Sequence, residues 1–287
     1  MAKVALDIRG FSIIRRIGTG ARSTIYLAAD QQDEIEVALK RVIFERPEDS
    51  RIFEQVETEY KVAKRIDHPY IRKCYKLKKV RSMFVVKELL LSMEWFDGRS
   101  LEDSPALSLL DVLLVFRMVA GGLHAMHQQG FVHCDIKPNN ILINETGAIK
   151  IIDLGQSCKI GTIKPRIQGT PDYIAPEQVR RKSLGPKTDI FNLGATMYWA
   201  LTGKHVPTMI AKKNSLGLPL PPQPRLAPHE LRKQLPIGIS KLVMDCIEDD
   251  PAKRPRNMMM LISRLDLLVH SILAGQIKTD KDASNNN

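Results

Sequence analysis

Residues 133–140 read H-C-D-I-K-P-N-N, and this stretch decides the fold. It places a carboxylate, an amine and an amide at fixed offsets, in Asp135, Lys137 and Asn140. Thirteen residues after Asn140 comes a second carboxylate, Asp153 in D-L-G, directly after the largely apolar run I-K-I-I. Groups of these types suit charged ligands and a hard metal ion, which prefers oxygen ligands. A turn capped by an Asx motif is the structural alternative for the same residues.

The order of these motifs, completed by A-P-E at 175–177, resembles that of the eukaryotic-type protein Ser/Thr kinase family, and within it the soluble bacterial type. The resemblance covers about 11–271, nearly the whole chain. It implies an α+β, bilobal protein kinase fold, with a β-rich N-lobe that contains one regulatory helix and a mostly helical C-lobe. Two residues depart from the family pattern: Cys134 stands where Arg is usual, and Leu154 where Phe is usual.

The composition, with 44% hydrophobic and 26% charged residues in 287, is that of an ordinary globular protein and excludes a disordered or fibrous class. The longest apolar stretches, around 109–119 and 190–201, are interrupted and shorter than the roughly 18 residues that a bilayer span needs, so we expect no membrane span. The N-terminus lacks an apolar signal region, and the four cysteines have neither paired nor metal-ligand spacing. We therefore expect a reduced, cytoplasmic setting.

The net charge of +11 includes six basic residues among the ten from Arg72 to Arg81 and a second basic group at 180–182. Such patches can bind nucleic acid. Apart from Tyr75, no aromatic residue alternates with these charges to stack bases, so nucleic acid is not expected. Solvated strand and loop faces are favoured, with an acidic protein partner or substrate as the alternative.

Short β-type segments from residue 11 to about residue 88, interrupted by a helix over about 47–65, predict the N-lobe at 11–94. Longer helical patterns predict the C-lobe at 95–271, with helices over 107–128, 188–201, 239–249 and 258–273. A segment rich in Pro and Leu at 205–236 is interpreted as an irregular insertion packed on the helical lobe. A polar C-terminal tail is predicted at 272–287, and we expect its last stretch, 278–287, to fray.

The sequence G-T-G-A-R-S-T-I at 18–25 lies between two predicted strands, where glycines allow backbone N–H groups to approach phosphates. By itself this sequence is equally typical of an ordinary hairpin. Lys40 ends the strand V-A-L-K and is expected to pair with a helical carboxylate. We choose Glu59 as the partner, because two residues turn a helix by about 200° and Glu57 therefore lies on another face.

The resemblance implies ATP and Mg²⁺ as ligands and gives each residue a role. Asp135 accepts the proton of the substrate hydroxyl, Lys137 and Lys40 stabilise phosphoryl charge, and Thr170 lies at the substrate-docking end of the segment. Asn140 and Asp153 are the expected metal ligands. The residues implied for ATP binding are Ile17, Gly18, Thr19, Gly20, Ser23, Ile25, Ala38, Lys40, Glu59, Met93, Glu94 and Phe96. Met93 directly precedes a hinge at 94–96, where main-chain groups of Glu94 and Phe96 are implied to bind adenine.

Four further residues are expected to support the fold. His133 holds the backbone of the 133–140 loop, Asp189 braces the same backbone, and Glu177 pairs with Arg254. Cys134 and Cys158 are interpreted as two unpaired small side chains, with a redox pair as the alternative.

The leading functional hypothesis is an ATP-dependent protein Ser/Thr kinase acting on protein hydroxyls. The thiol of Cys134 cannot bind a phosphate as an Arg does, so activation-loop phosphorylation is expected to be unnecessary. The alternative from another class is a pseudokinase, a nucleotide-binding scaffold or partner module. A small-molecule kinase is a third hypothesis, disfavoured because G-T-P-D-Y-I-A-P-E resembles a peptide-docking segment. The oligomeric state stays open.

Overall fold

The computed structural model describes residues 7–20, 22–46, 49–210 and 224–284, of which 276–284 are described by backbone alone. The chain divides into two compact units. The first runs to Gly98 and includes Ile152–Ser157, and the second holds Arg99–Ile151 and the chain from Cys158 onward. The D-L-G segment therefore belongs with the β-rich unit, although the sequence places it far downstream.

The first unit is built on a five-stranded antiparallel sheet with strand order β1-β2-β3-β5-β4. Its β-branched and aliphatic residues form a core in which the central strand is buried on both faces, since Val37, Ala38 and Leu39 are all inaccessible to solvent. The elements are β1 (Phe11–Thr19), β2 (Ser23–Asp30), β3 (Ile35–Ile43), α1 (Ser50–Ala63), β4 (Cys74–Ser82) and β5 (Val85–Glu94).

Helix α1 is shorter than the predicted span but lies where the apolar spacing placed it. Its buried face carries Val56, Glu59 and Val62, three residues apart and therefore on one side of the helix. Glu57 lies on another face, where it pairs with Lys79. The choice of Glu59 over Glu57 as the inward carboxylate is thus confirmed by the packing of the helix.

The second unit is mostly helical, with two small sheets of order β6-β8-β9 and β10-β7. Its strands are β6 (Arg99–Ser100), β7 (Phe131–Val132), β8 (Ile141–Ile143), β9 (Ile149–Ile151) and β10 (Cys158–Lys159). Its helices are α2 (Leu109–Gln128), α3 (Pro176–Val179), α4 (Pro186–Thr202), α5 (Pro228–Leu231), α6 (Ile237–Cys246) and α7 (Met258–Ser284). Short 3-10 helices lie at Pro138–Asn140 and Pro251–Lys253, and another, Leu154–Gln156, lies in the first unit.

Local sequence explains where the main helices begin and end. At the start of α2 the Ser108 side chain accepts a hydrogen bond from the Asp111 N–H, which satisfies one of the first unpaired backbone donors. Helix α4 begins with Pro186 and ends at Gly203, whose left-handed φ of 70° terminates it. Both helices bury most of their apolar residues. Each large apolar side chain that is fully buried contributes about 1.5–3 kcal/mol to stability, relative to an exposed one.

The structure corrects the expectation for the C-terminal tail, and part of the predicted insertion lies outside the described residues. Fraying was expected over 278–287, but α7 continues to Ser284, because its last residues include no proline and are mostly tolerated in helices. The insertion predicted at 205–236 contains the short helix α5, and its residues 211–223 lie outside the described residues.

Two helices are long and apolar enough to cross a membrane by length and hydropathy alone, Leu109–Gln128 and Met258–Gly275. Sequence reasoning judged the first stretch too short because Arg117 interrupts it, but a helix of 20 residues tolerates one such charge. Half of the α2 window is buried within its unit, as in the core helix of a globular domain, against 17% of the α7 window. The two helices are weak support for a membrane span, and the expectation of no span stays a prediction.

The basic run at 72–81 is only partly the solvated face that we expected. Arg72 is buried, and its Nη2 lies 3.4 Å from Glu59 Oε1. Lys76 pairs with Asp30 and Asp33 at 3.2 and 2.8 Å. Much of the positive charge along this strand is therefore neutralised within the first unit.

Glu177 and Arg254 form the predicted pair, and it is bidentate and buried. Arg254 Nη1 and Nη2 lie 2.8 and 2.9 Å from the two Glu177 carboxylate oxygens, and the guanidinium stacks 4.9 Å from the Phe191 ring centroid. Its Nε also donates to the Glu248 carbonyl at 2.7 Å. The pair joins the A-P-E motif to the chain that precedes α7.

Replacing Arg254 by Ala is expected to lower the free energy of unfolding by about 3–5 kcal/mol, because the Glu177 carboxylate would remain buried without its partner. The matched control is Arg264→Ala, which removes a 2.7 Å pair with Asp245 that is about one-third exposed. That change should cost about 1 kcal/mol or less. Urea denaturation of the three proteins measures both, and equal losses would contradict the importance of burial.

Candidate active site

The hairpin between β1 and β2 is closed by a hydrogen bond from the Gly20 N–H to the Ser23 carbonyl, at 2.8 Å. A Cβ on Gly20 would lie 2.7 Å from Ser23 Oγ, the end of a short side chain that can rotate away. A Cβ on Gly18 would meet Ile25 only at an ordinary 3.7 Å. Of the two glycines singled out from the sequence, Gly20 therefore has the tighter surroundings.

Lys40 lies on β3, paired with Ile25 on β2 and Leu91 on β5. Its Nζ is 2.8 Å from Glu59 Oε2 and 3.7 Å from Asp153 Oδ1, so the predicted pair with Glu59 is confirmed as a contact. Burial alone would lower the pKa of Lys40, but the carboxylates of Glu59 and Asp153 outweigh it and raise that pKa. The amine is therefore held as a cation.

Asp153 has a left-handed backbone, with φ 62° and ψ 63°, and its side chain is 44% exposed. Asp is one of the few residues other than glycine that visit this region. The 3-10 helix after it packs on α1, where a Cβ on Gly155 would lie 3.1 Å from Gln55 Cβ. Leu154 is buried, so leucine fills the position where the family usually has phenylalanine.

The predicted hinge begins at the end of β5. Met93 is fully buried and pairs in register with Ala38 on β3 and Cys74 on β4. The Glu94 N–H donates to the Lys73 carbonyl at 2.9 Å, and Glu94 Oε2 accepts from the Lys73 N–H at 3.1 Å. The Glu94 N–H and side chain are thus both engaged by Lys73, the residue directly before β4.

In the second unit the structure brings Asp135, Lys137, Asn140 and Thr170 together. Asp135 Oδ1 accepts hydrogen bonds from the Thr170 N–H at 3.0 Å and from the Thr170 hydroxyl at 2.8 Å. Lys137 Nζ lies 3.2 Å from Asp135 Oδ2 and donates to Thr170 Oγ1 at 2.9 Å. These contacts of Thr170 fix the Asp135 carboxylate beside the Lys137 ammonium.

The backbone of this loop is held by a buried carboxylate. Asp189 accepts from the N–H groups of His133 at 2.9 Å and Cys134 at 2.8 Å, and lies 2.8 Å from His127 Nε2. Burial would raise the pKa of Asp189, but the hydrogen bond and charge of His127, with the Cys134 N–H, lower it overall. His133 Nδ1 accepts from the Asp135 N–H at 3.2 Å, which confirms its supporting role.

Sequence reasoning missed Gln178, which is buried directly after A-P-E. Its Nε2 donates to the carbonyls of Cys134 at 2.8 Å and Gln168 at 3.0 Å, and its Oε1 accepts from Asn192 Nδ2 at 3.0 Å. Gln178 therefore ties the catalytic loop to the segment that precedes Thr170. A neutral amide next to a stronger motif carries no signal of its own in a single sequence.

The described part of the chain holds no cluster of three or more His, Cys, Asp or Glu that could bind a metal ion by itself. Mg²⁺ does not require one, because it is usually bound by one or two protein carboxylates together with substrate phosphates. Asn140 donates from Nδ2 to the Asp135 carbonyl at 2.8 Å, so its amide nitrogen is engaged within the loop. Asp153 in the first unit and Asn140 in the second each offer the type of oxygen ligand that this ion prefers.

Comparison with known proteins identifies the class. The protein kinase domain model matches residues 11–264. The chain is 28% identical to the serine/threonine-protein kinase pakG of Dictyostelium discoideum, over 93% of this chain and 22% of that protein. It is 30% identical to the serine/threonine-protein kinase PrkC of Bacillus subtilis, over 68% of this chain and 30% of that protein.

The chain therefore belongs to the protein kinase domain family, and its domain is of the serine/threonine type. A third relative, the serine/threonine-protein kinase PknD of Chlamydia caviae, is 26% identical over 88% of this chain and 30% of that protein. The chain thus spans less than a third of the length of these three relatives.

Proposed function

We propose that this chain is an ATP-dependent protein Ser/Thr kinase that works in the cytoplasm, transferring the γ-phosphoryl group to protein hydroxyls. The observation that carries the proposal is the Asp135 carboxylate, held by both donors of Thr170 and placed 3.2 Å from the Lys137 ammonium. A carboxylate fixed in this way can orient a hydroxyl and accept its proton.

Asp135 and Lys137 have different roles at the acceptor hydroxyl. Asp135 takes the proton of the attacking hydroxyl, so that the oxygen gains nucleophilic character as the bond to phosphorus forms. Lys137 places its charge where negative charge on the transferring group must be stabilised. Because Thr170 binds both side chains, the segment that contains it controls their alignment.

Lys40 is proposed to bind the nucleotide. Its raised pKa keeps it protonated, and Glu59 and Asp153 hold the ammonium in place for the phosphates of ATP. Asp153 and Asn140 would each offer an oxygen ligand to Mg²⁺, which would supply positive charge to offset that of the ATP phosphates. The glycine-containing hairpin at 18–25 supplies backbone N–H groups to the same anions.

The pseudokinase alternative would be favoured by the loss of one of the charged residues that phosphoryl transfer needs. Lys40, Asp135 and Asp153 are all present, and each has a charged or hydrogen-bonding neighbour suited to its role. The kinase hypothesis is therefore the stronger one, and the pseudokinase stays the alternative.

The identity of the labelled acceptor distinguishes a protein Ser/Thr kinase from a small-molecule kinase. The chain is incubated with γ-labelled ATP, Mg²⁺ and a generic basic protein, and the labelled protein is hydrolysed to amino acids. We expect phosphoserine and phosphothreonine. Label found on phosphotyrosine, or on a small molecule while every protein stays unlabelled, would contradict the assignment.

Activity is also proposed to be independent of activation-loop phosphorylation. The thiol of Cys134 contacts another thiol, that of Cys158, where a phosphate-binding arginine is common in the family. Ser157 is buried, and Thr162 hydrogen-bonds with Cys158.

Replacing Ser157 and Thr162 by Ala is expected to change kcat by less than about twofold, because neither hydroxyl needs a phosphate to form the site. Thr170→Ala should lower kcat by about 10²-fold, since it removes a hydroxyl that holds both Asp135 and Lys137. Steady-state kinetics on dephosphorylated protein measure all three. Strong activation that depends on phosphorylated Thr162 would contradict this account.

A further inference from the structure

Cys134 and Cys158 meet in the second unit. Their sulfur atoms are 3.7 Å apart, one at the start of the catalytic loop and the other in β10. The pairing of β10 with β7 sets Cys158 opposite Val132, two residues before Cys134, so the contact is fixed by backbone register. The two sulfur atoms are at van der Waals distance. A disulfide requires them to approach to about 2.05 Å.

The two sulfurs have different surroundings. Cys134 is buried in a small apolar cluster with Val132 and Leu184, whereas Cys158 is partly exposed at its edge. The hydrogen bond with Cys134, the Lys164 ammonium and the Thr162 hydroxyl lower the pKa of Cys158 to about 7, against the effect of burial. One thiol is therefore reachable and easily ionised, and its neighbour is shielded.

The other two cysteines offer a contrast within the same chain. Cys74 and Cys246 are both buried, and burial raises the pKa of each to about 12. Because the thiolate is the form that reacts with peroxides, these two residues should remain thiols under mild oxidation.

We propose that Cys158 and Cys134 form an oxidation site, in which Cys158 reacts with a hydroperoxide and Cys134 then closes a disulfide that lowers kinase activity. Its effect on activity rests on the proposed function, whereas the chemistry of the thiol pair does not.

The chemistry balances with one equivalent of hydrogen peroxide or an organic hydroperoxide. The Cys158 thiolate attacks one peroxide oxygen, the O–O bond breaks, and Cys158 becomes a sulfenic acid while hydroxide or alkoxide leaves and takes up a proton. Cys134, losing its proton, then attacks the Cys158 sulfur, and water leaves as the S–S bond forms. Two thiols are oxidised, and one peroxide is reduced.

The consequence for the site follows from what holds each cysteine. Asp189 binds the Cys134 N–H and Gln178 binds its carbonyl, so the catalytic-loop side is fixed. Closing the gap from 3.7 Å to about 2.05 Å must therefore move mainly the Cys158 side. The displaced strand leads into the segment that carries Thr170, whose hydrogen bonds align Asp135 and Lys137.

The test treats the reduced chain with one equivalent of hydrogen peroxide and reads both mass and activity. Wild type should lose two hydrogens and yield a peptide pair linked through Cys134 and Cys158, with Cys74 and Cys246 still alkylatable. Kinase activity should fall by about 10²-fold, as expected for ångström-scale misplacement of catalytic groups, and return with thiol reductant.

Two variants serve as each other's controls. In Cys134→Ala, Cys158 should stop at the sulfenic acid, trapped by dimedone, and in Cys158→Ala, Cys134 should stay a thiol. Both should keep their activity after peroxide is removed by catalase. Absence of the linked peptides in wild type would overturn the site, and linked peptides with unchanged activity would overturn its inhibitory role. Since the mass readout needs no kinase activity, failure of the proposed function is seen separately.

Discussion

Asp135→Asn is expected to lower kcat by about 10²–10⁴-fold, because an amide cannot accept the proton of the attacking hydroxyl. Asparagine has the same shape and can still accept the hydrogen bonds that Thr170 donates. It loses the negative charge that faces Lys137 at 3.2 Å. The loss should therefore appear in kcat, with little change in the KM for ATP, and steady-state assays over a range of ATP concentrations separate the two.

The matched control for this change is Asp103→Asn. Asp103 is an exposed carboxylate of the same unit, hydrogen-bonded to Ser100, and no role in the reaction is assigned to it. Its replacement should leave kcat within about twofold of wild type. An Asp135→Asn protein that folds normally and retains wild-type kcat would mean that another group accepts the proton.

Lys40→Met is expected to lower kcat/KM by about 10²–10³-fold, the size of effect seen when one preorganised charge is removed from an active site. Methionine keeps much of the apolar stem but removes the cation that lies between Glu59 and Asp153. The fold should survive, because Arg72 remains 3.4 Å from Glu59 and offsets part of its charge. The midpoint of thermal unfolding checks this second expectation.

Lys76→Met is the control for charge loss from the same sheet, since Lys76 pairs with Asp30 and Asp33 outside the proposed site. It should leave kcat/KM unchanged. A double-mutant cycle with Glu59→Gln sharpens the test. If Glu59 acts only by positioning Lys40, then adding Glu59→Gln to Lys40→Met should cost nothing further. Independent, additive losses would show that Glu59 has a second role.

The chemistry-bearing residues were predictable because their types and spacing are demanded together. The catalytic loop needs a carboxylate, an amine and an amide at set offsets, and helical periodicity then distinguishes Glu59 from Glu57. Strand alternation likewise predicted the β-rich unit, and its five-stranded order emerged only from the structure.

What sequence reasoning missed depends on contacts between distant segments. Gln178 bridges two loops through neutral hydrogen bonds, and Arg72 joins Glu59 from another element. The left-handed backbone of Cys134, with φ 67°, has no signal, because cysteine is not a residue that favours this region. The contact between Cys134 and Cys158 also depends on strand register, which single-sequence spacing does not reveal.

The most direct test of the central claim follows bound ATP on one preparation. The chain is loaded with γ-labelled ATP without metal, its bound nucleotide is quantified, and Mg²⁺ is then added with a generic protein substrate and excess unlabelled ATP. The account predicts that wild type transfers label to the protein within a single turnover, while Asp135→Asn binds as much ATP and transfers almost none. Equal binding with no transfer by wild type would contradict the kinase assignment and favour the pseudokinase.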